Sequence, residues 1–370
     1  LTTCEKFRGH FRNLQQVFLY ITDQCNLECE QCIYKPHVAF DSFRHVPEET
    51  VRKLLATFYN LGARKLTLLG GEPTLYGFRE NHDPLIRTIA YAKALGYDYV
   101  RIDTNGQFSP DLIARLVSSG LDEFAFSIDD CDPKINDKIR GANTFKRSVA
   151  NLERCVAVGA RATITCCIHR GLCALNSDGL PRLHDMIEFG RLLGAHTVNF
   201  HDLFKVGVPM DTWTGRLDPT PQEYLPVYDT IRAKIDGREY GSVHVRLPQC
   251  FVSKQEFASN PAYYGYCPVK LGERVMVHAD GIIRICSNLI CTSWGTASFD
   301  ESRVTWNSGP SNETFAHNME EMTPCTNRSK RSYGELVPLC FSFKPDQEEA
   351  SWKNLRWDER RNFVEIKVLR

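Results

Sequence analysis

The chain has 370 residues, of which 42% are hydrophobic and 24% are charged. Its 45 basic residues balance its 45 acidic residues, so no large cationic surface for a nucleic acid is predicted. No apolar run approaches the roughly 20 residues that a membrane-spanning helix needs, and residues 1–16 contain no hydrophobic signal core. We therefore expect a globular cytoplasmic protein with two domains, or one domain with an appendage, and without membrane or nucleic-acid partners.

Strand-like and helix-like segments alternate over residues 16–204. The predicted strands are residues 16–22, 65–70, 98–104, 123–129, 161–169 and 196–204. Five amphipathic patterns lie between them, and each ends in glycine, as helices often do. Repeated strand and helix units predict parallel strands with right-handed crossovers, curled into a full or partial barrel. The active site of such a fold lies at the carboxyl ends of the strands.

The pattern changes after residue 204. A connector rich in Pro and Gly leads to one further helix at about 221–235, and short β-like segments dominate from residue 241. One of these predicts a hairpin that turns at the sequence HADG, residues 278–281. We predict an N-terminal extension at 1–15, the barrel at 16–240, a smaller domain at 241–345 and a peripheral helix or tail at 346–370.

Fifteen cysteines are many for a chain in a reducing compartment, where disulfides are rare. One group lies near residue 30, others are scattered over 131–173, and a spaced set covers 250–340. Clustered thiols of this kind favour metal ligation or catalysis. The distribution predicts two separate sites.

Cys25, Cys29 and Cys32 form a C-x3-C-x2-C array directly after the first predicted strand. Three thiolates supply three of the four ligands of a four-iron cluster and leave one iron open to a substrate or cofactor atom. The alternative is a zinc site completed by His37 or His45. The position at a strand end favours the cluster.

This array, followed by the sequence GGEP at the end of the second strand, resembles the radical S-adenosylmethionine (SAM) enzymes. The resemblance implies a partial (β/α)6 barrel, a [4Fe–4S] cluster on the three cysteines and SAM at the open iron. A flavodoxin- or ferredoxin-type donor would reduce the cluster, and the 5'-deoxyadenosyl radical would take a hydrogen atom from the substrate. The SAM-binding residues implied by the resemblance are Gly70, Gly71, Glu72, Pro73, Thr104, Asn105, Ser127, Asp129 and Arg140.

One position departs from the family pattern. The family usually has an aromatic residue directly before the third cysteine, stacked near the adenine, and this chain has Gln31 there. We expect Tyr34 to supply the missing aromatic contact near the adenine.

The later cysteines resemble a second family pattern. Cys267, Gly281 and Cys286 fit C-x(9–15)-G-x4-C, which opens the auxiliary-cluster domains called SPASM and twitch. Too few cysteines follow for two auxiliary clusters, so the resemblance implies the twitch form, with one further [4Fe–4S] cluster on Cys267, Cys286, Cys325 and Cys340. The alternative is a four-cysteine zinc site. The expected fold class is α/β, a partial (β/α)6 barrel with a C-terminal twitch domain.

Cys291 is not one of the four ligands in this arrangement. Its similarity to the hydrogen-donating thiols of twitch enzymes that epimerise sugars makes it the expected donor, with Cys166, Cys167, Cys173 and Cys250 as weaker rivals. Strand alternation points only one of the pair 166 and 167 into the barrel.

Four polar residues at or near the predicted strand ends could bind or deprotonate a polyol, namely Asp103, His169, His201 and Asp202. We therefore expect an epimerase or dehydrogenase that attacks a secondary alcohol carbon of a small sugar or aminocyclitol, in the biosynthesis of an antibiotic-like natural product. The alternatives are a maturase that crosslinks or epimerises a ribosomal peptide, and a non-catalytic zinc-binding interaction protein. Many maturases begin with a peptide-recognition domain, and only roughly 15 residues precede the first strand here. The peptide alternative is therefore less favoured.

Overall fold

The computed structural model describes residues 14–32, 34, 44–203, 217–248, 251–264, 272–284, 293–300, 303–308 and 333–339. Consecutive parallel strands form the larger part of its main sheet. They are β1 (Gln16–Thr22), β2 (Lys65–Gly70), β3 (Tyr99–Thr104), β4 (Glu123–Ser127), β5 (Arg161–Cys167), β6 (Thr197–His201) and β7 (His244–Arg246). The six predicted strands are confirmed, and each observed end lies within three residues of the predicted end.

Helices connect these strands. They are α1 (Glu48–Asn60), α2 (Asp83–Leu95), α3 (Asp111–Ser118), α4 (Pro133–Arg140), α5 (Thr144–Ala157), α6 (Arg182–Leu192) and α7 (Pro221–Asp236). All the predicted helices are present. The structure also contains α4, which the sequence analysis did not predict. None of the described helices is both long and apolar enough to cross a membrane.

The predicted hairpin is also present, but it lies in the main sheet. Its strands are β9 (Arg274–Val277) and β10 (Ile282–Arg284), and β9 pairs in parallel with β1. β11 (Ser293–Asp300) and β12 (Arg303–Ser308) continue beyond it, so the sheet runs β12-β11-β10-β9-β1-β2-β3-β4-β5-β6-β7. The strand order is linear, and the sheet is therefore open, in keeping with a partial barrel.

A separate two-stranded sheet pairs β8 (Phe251–Ser253) with β13 (Leu336–Pro338). The short helices α8 (Lys254–Ser259) and α9 (Pro261–Tyr264) follow β8. The region that we predicted as a smaller domain thus contributes strands both to this small sheet and to the main one.

Side chains alternate between the two faces of the parallel strands. One face carries fully buried apolar residues such as Leu68, Ile102 and Phe126, which join the helices in one hydrophobic core. The opposite face, called the polar face below, carries Gln16, Thr67, Arg101, Asp103, Glu123, Ser127, Thr163, Thr165, Cys167, Asn199 and His201. An open sheet with one apolar and one polar face leaves the polar face available for a ligand at the strand ends.

The predicted helix ends are confirmed in their backbone conformation. Gly62, Gly96, Gly120, Gly159 and Gly194 follow their helices with φ between 75° and 109°. This left-handed conformation is favourable for glycine and costs an L-residue roughly 1–2 kcal/mol.

Two of these glycines form a matched pair for testing the packing of α2. A Cβ at Gly96 would lie 2.6 Å from Tyr59 Oη, whereas a Cβ at Gly159 would meet no atom within 4 Å. We expect Gly159→Ala to lower the free energy of unfolding by about 1 kcal/mol through backbone strain alone. Gly96→Ala adds a clash and should cost about 2–3 kcal/mol. Equal shifts in urea denaturation would contradict this packing.

Candidate active site

The cysteine loop begins and ends at the carboxyl end of β1. Arg44 N and Nε donate to the two carboxylate oxygens of Asp23 at 2.5 and 2.8 Å, and Val46 N donates to Ile21 O at 2.9 Å. The chain therefore leaves the sheet after Thr22 and returns to the same point before α1. Because the base of the loop is closed, the cysteines stay over the strand ends.

The glycine pair at the end of β2 lies directly against this loop. Gly71 N donates to Thr22 O at 3.0 Å, and Glu72 N donates to Gln24 O at 2.6 Å. A Cβ at Gly71 would lie 2.2 Å from Gln24 O, and one at Gly70 would lie 2.6 Å from Thr22 O. Glycine is thus required here because two backbones meet.

Glu72 is buried and braces the ends of β2 and β3. Its Oε1 accepts from Thr74 N at 3.1 Å and from the Thr74 and Thr104 hydroxyls at 2.7 Å, while Oε2 accepts from Asn105 N at 2.7 Å. All of these donors are neutral, and burial raises the pKa of Glu72 above its ordinary value. Pro73 begins a short 3₁₀ turn, Pro73–Leu75, that carries Thr74 to this carboxylate.

Further contacts tie the loop to β3 and α4. The Asn105 side chain donates to Asn26 Oδ1 at 2.7 Å, and Glu30 N donates to Ile139 O at 2.9 Å. Cys29 Sγ lies 3.6 Å from Arg140 O. The helix α4, which the sequence did not reveal, therefore forms one wall of the loop.

A buried network joins the loop to β4. Asp129 Oδ2 accepts from Gln31 Nε2 and, at 2.7 Å, from Arg140 Nη1, and its Oδ1 accepts from Cys167 N at 2.8 Å. Burial alone would lower the pKa of Arg140, but Cys29 and Asp129 raise it. Gln31 at the family's aromatic position is therefore a hydrogen-bonding residue in this chain. Ser127, at the end of β4, is half-buried on the polar face.

The three thiols share this environment. The pKa of Cys25 is raised to about 12, mainly by burial and in smaller part by Glu72, Cys29 and Cys32. Among the described residues, no three His, Cys, Asp or Glu side chains are grouped closely enough to hold one metal ion. A four-iron cluster binds each thiolate at a different iron, so its ligands need not meet at one point. Three thiols on a loop held from three sides fit such a cluster.

The polar face brings Asp103, Cys167 and His201 to the same side of the sheet. Asp103 accepts from Arg101 Nε at 2.5 Å, and Arg101 also donates to Glu123 at 3.1 Å. His201 lies opposite Cys167 in the register of β6 and β5, and the Asn199 amide donates to its Nε2 at 2.8 Å. Cys166 points to the core and is fully buried, as strand alternation predicts for one member of this pair.

His169 is not on the polar face. It is buried, with Nε2 at 3.0 Å from Asp130 Oδ2, and Nδ1 accepts from Gly171 N at 3.2 Å. Burial would raise the pKa of Asp130, but His169, Asp132 N and Arg182 together lower it. His169 therefore braces the ends of β4 and β5. Asp202 follows β6 and is half-buried.

His278 is a site residue that the sequence did not reveal. Its ring stacks on Tyr20 with centroids 3.9 Å apart, and Tyr20 shares a hydrogen bond with the Tyr34 hydroxyl. Burial raises the pKa of Tyr34, and Cys32, Asp103 and Cys167 add to the rise. Only the parallel pairing of β9 with β1 brings the HADG turn to this place.

A small open cleft lies beside this aromatic group. It is lined by Tyr20, Thr22, Asp23, Tyr34, Arg44, Gly70, Gly71, His278, Ala279 and Asp280. Tyr34, on the cysteine loop, thus lies beside the β9–β10 turn.

The second predicted site lies outside the described residues. This holds for the four proposed auxiliary ligands and for the spare thiol, namely Cys267, Cys286, Cys325, Cys340 and Cys291. His37 and Cys250 also lie outside them. Gly281, the glycine of the same pattern, has φ 79° in the hairpin turn.

Comparison with known families agrees with the geometry of the first site. Residues 19–173 match the family model described as the radical SAM superfamily. This segment contains the cysteine loop, the GGEP sequence and the Asp129–Arg140 pair. These residues are called the radical SAM segment below, after the family model that they match. The family match supports SAM and one [4Fe–4S] cluster as the cofactors of this radical SAM segment.

Curated relatives of the radical SAM segment are named GTP 3',8-cyclase. The protein from Vibrio cholerae serotype O1 is 31% identical over 163 residues, which are 43% of this chain and 47% of the relative. The one from Synechococcus elongatus is 31% identical over 186 residues, 49% of this chain and 53% of the relative. The chain thus spans about half the length of the curated relatives it matches.

Solved structures share the fold over more of the chain. Streptococcus suis SuiB bound to the precursor peptide SuiA has a TM-score of 0.62 and 16% identity, covering 82% of this chain and 67% of SuiB. Native anSMEcpe with bound AdoMet has a TM-score of 0.58 and 15% identity, covering 94% of this chain and 88% of that protein. At such identities the likeness concerns the fold alone.

The contact between Gly71 and the cysteine loop can be tested in the radical SAM segment. We expect Gly71→Ala to lower the free energy of unfolding by about 2–3 kcal/mol, because the three atoms that would clash are all backbone atoms. The displaced loop should also hold less iron after anaerobic reconstitution.

Gly237→Ala is the control for this variant. Gly237 has φ −72°, and a Cβ there would lie 3.3 Å from its nearest neighbour, Ala233 O. Iron content and thermal melting should both stay near wild type. If Gly71→Ala retained full iron content and stability, the close approach would be refuted.

Proposed function

We propose that the protein is a radical SAM enzyme that abstracts a hydrogen atom from a substrate held on the polar face of the sheet. When bound, the cluster and SAM supply the 5'-deoxyadenosyl radical for this step. The observation that carries the proposal is the loop of Cys25, Cys29 and Cys32, held over the ends of β2, β3 and β4 by the contacts above. The three thiols are the proposed ligands of the cluster.

The charges around the loop support a cationic cofactor. Glu72 is a buried carboxylate whose hydrogen-bond donors are all neutral. A buried anion without a cationic partner is costly, and a sulfonium and an amino group nearby would offset this cost. Arg140, held by Asp129, supplies the complementary positive charge for a carboxylate.

The substrate class that we propose is a small polar molecule with several hydroxyl groups, such as a sugar or an aminocyclitol. Asp103, Asn199 and His201 on the polar face offer carboxylate, amide and imidazole groups at the strand ends. Such groups bind hydroxyls and can take up a proton from one. The product would be an epimer or a ketone.

A second candidate substrate is a nucleotide. It is favoured by the names of the curated relatives, GTP 3',8-cyclase, which match the segment that holds the cysteine loop. A third is a peptide, since SuiB was crystallised with a precursor peptide.

The fate of the substrate radical depends on a reductant or on a hydrogen donor. Our proposal keeps a twitch-type [4Fe–4S] cluster on Cys267, Cys286, Cys325 and Cys340 and Cys291 as a donor thiol. Cys167 is a second donor candidate because it lies on the polar face, and burial and Asp129 raise its pKa so that it stays a thiol. In donation the S–H bond breaks and a C–H bond forms. The auxiliary cluster, held by those four cysteines, would supply the electron that restores the thiol together with one proton.

The cofactor assignment predicts the effect of removing single thiols. Replacing Cys25, Cys29 or Cys32 by Ala should abolish formation of 5'-deoxyadenosine from SAM and dithionite under anaerobic conditions, because the cluster loses a ligand. Cys155→Ala removes a thiol that packs in the core on α5 and should retain this activity. Product formation by any of the three loop variants, measured by liquid chromatography, would refute the assignment.

The two donor candidates can be separated in deuterated water. An aminocyclitol glycoside, GTP and a cysteine-containing peptide are first compared for stimulation of 5'-deoxyadenosine formation. With the stimulating substrate, a thiol donor should place one deuterium on carbon, since a thiol exchanges with solvent. Cys167→Ala should abolish this label if Cys167 is the donor, and Cys166→Ala should keep it. A label that persists in Cys167→Ala would exclude Cys167 as the donor, and loss of two hydrogens without a label indicates a dehydrogenase.

A further inference from the structure

One guanidinium group on the polar face has no anionic partner among the described residues. Arg161 begins β5 and lies opposite Glu123 in the register of β5 with β4, so its side chain is on the polar face. Its Nε is buried and donates to none of the described residues, and Arg161 takes part in none of their ion pairs. A buried charge is costly unless it is paired and hydrogen-bonded. An anion bound at Arg161 would offset this cost.

The carboxylates beside Arg161 on the polar face are already bound to another arginine. Arg101 Nη1 donates to Glu123 Oε1 at 3.1 Å, and Arg101 Nε donates to Asp103 Oδ1 at 2.5 Å. Glu123 also faces Lys65, because burial lowers the pKa of Lys65 and Glu123 opposes this effect. Among the described residues, cationic side chains thus outnumber carboxylates around Glu123.

Arg246 lies on the same face as Arg161. It ends β7 and is opposite Asn199, two residues before the end of β6 at His201. The pKa of Arg246 is lowered to about 10, mainly by burial and in smaller part by Arg101 and Arg161, so these guanidinium groups are close enough to repel one another. A guanidinium group has five N–H donors, and Arg246 can therefore bind an anion in addition to the contacts that it already makes.

The position of the two arginines fits the anionic end of a substrate whose reacting carbon lies at the strand ends. Two residues of a strand span roughly 7 Å, so the Arg246 backbone lies about that far along the face from the end of β6. Arg161 lies further along the same face, at the first residue of β5. A ligand that contacts both arginines and the proposed reaction site must therefore carry its charge at one end.

Phosphate is the anion that matches two neighbouring guanidinium groups. A phosphate monoester carries a charge of about −1.5 to −2 near pH 7 and has three oxygens that accept strong hydrogen bonds, and arginine binds such oxygens through two parallel N–H bonds. We infer that Arg161 and Arg246 bind the phosphate group of a phosphorylated sugar whose ring lies at the carboxyl ends of the strands. This inference rests on the proposed function and narrows its substrate class. A sugar phosphate and a nucleotide both carry the required group, whereas the positive charge of an aminocyclitol does not suit this site.

Binding of matched ligands to the reconstituted full chain tests the site. Dissociation constants are measured by anaerobic equilibrium dialysis for glucose 6-phosphate against glucose and for GTP against guanosine. We expect the phosphorylated member of at least one pair to bind about tenfold more tightly, because it adds hydrogen bonds between charged groups. Arg161→Met should remove this difference and leave the affinity for the unphosphorylated member unchanged. A difference in the glucose pair indicates a sugar phosphate, and one confined to the GTP pair indicates a nucleotide.

Two further variants separate binding from structure. Arg154→Met removes the same charge from an exposed position on α5 and should bind every ligand as wild type does. Arg246→Met is a second variant with the same expected loss of affinity for the phosphorylated member. Arg161→Met should not lower the melting temperature, because its guanidinium group has no anionic partner to lose among the described residues. A lowered melting temperature with equal losses for both members of a pair would show a structural role and overturn the inference.

Other results would also contradict the phosphate site. No difference in either pair of ligands, or a difference that persists in Arg161→Met, would overturn the inference. Glucuronate that binds as tightly as the phosphorylated ligand would do the same, because the site would then select any anion. Wild-type protein that prefers the phosphorylated ligand but forms no 5'-deoxyadenosine from SAM and dithionite would instead refute the proposed function and leave the phosphate site standing.

Discussion

The cysteine loop depends on the close approach of two backbones at Gly71 and Gln24. The hydrogen bonds of Gly71 and Glu72 to Thr22 and Gln24 continue the pairing of β2 with β1 beyond the last strand residue. Any side chain at Gly71 would meet backbone atoms, which cannot turn away as a side chain can. The three thiols are therefore positioned by the sheet itself, and the loop inherits the rigidity of its two central strands.

Buried carboxylates secure the neighbouring strand ends in two different ways. Asp130 is paired with Arg182 and lies next to His169, and its pKa is lowered. Glu72 has neutral donors and a raised pKa. The first arrangement is complete without a ligand, because a buried charge that is paired and hydrogen-bonded is satisfied. The Glu72 carboxylate would be stabilised by a nearby cation. A cationic group of a ligand is therefore expected on the side of the loop that faces β2 and β3.

Much of the fold follows from sequence because its signals are local. Strand runs, helix patterns and helix-ending glycines such as Gly96 depend on nearby residues, and parallel order follows from their alternation. The position of the thiols after β1 also identifies the site. Three features depend on contacts between distant residues and were not foreseen: the parallel pairing of β9 with β1, the place of His278, and the bond of Gln31 to Asp129. Gln31 was recognised only as a departure from a pattern, since its partner lies 98 residues away.

We propose that the three thiolates of the cysteine loop hold a cluster with one iron open to SAM. Electron paramagnetic resonance of the anaerobically reduced protein, recorded before and after addition of SAM, tests it most directly. We expect SAM to change the g-values of the cluster signal, because a fourth iron without a protein thiolate would be open to a cofactor atom. A reduced-cluster signal that SAM leaves unchanged, or a protein that contains zinc and no iron, would contradict it.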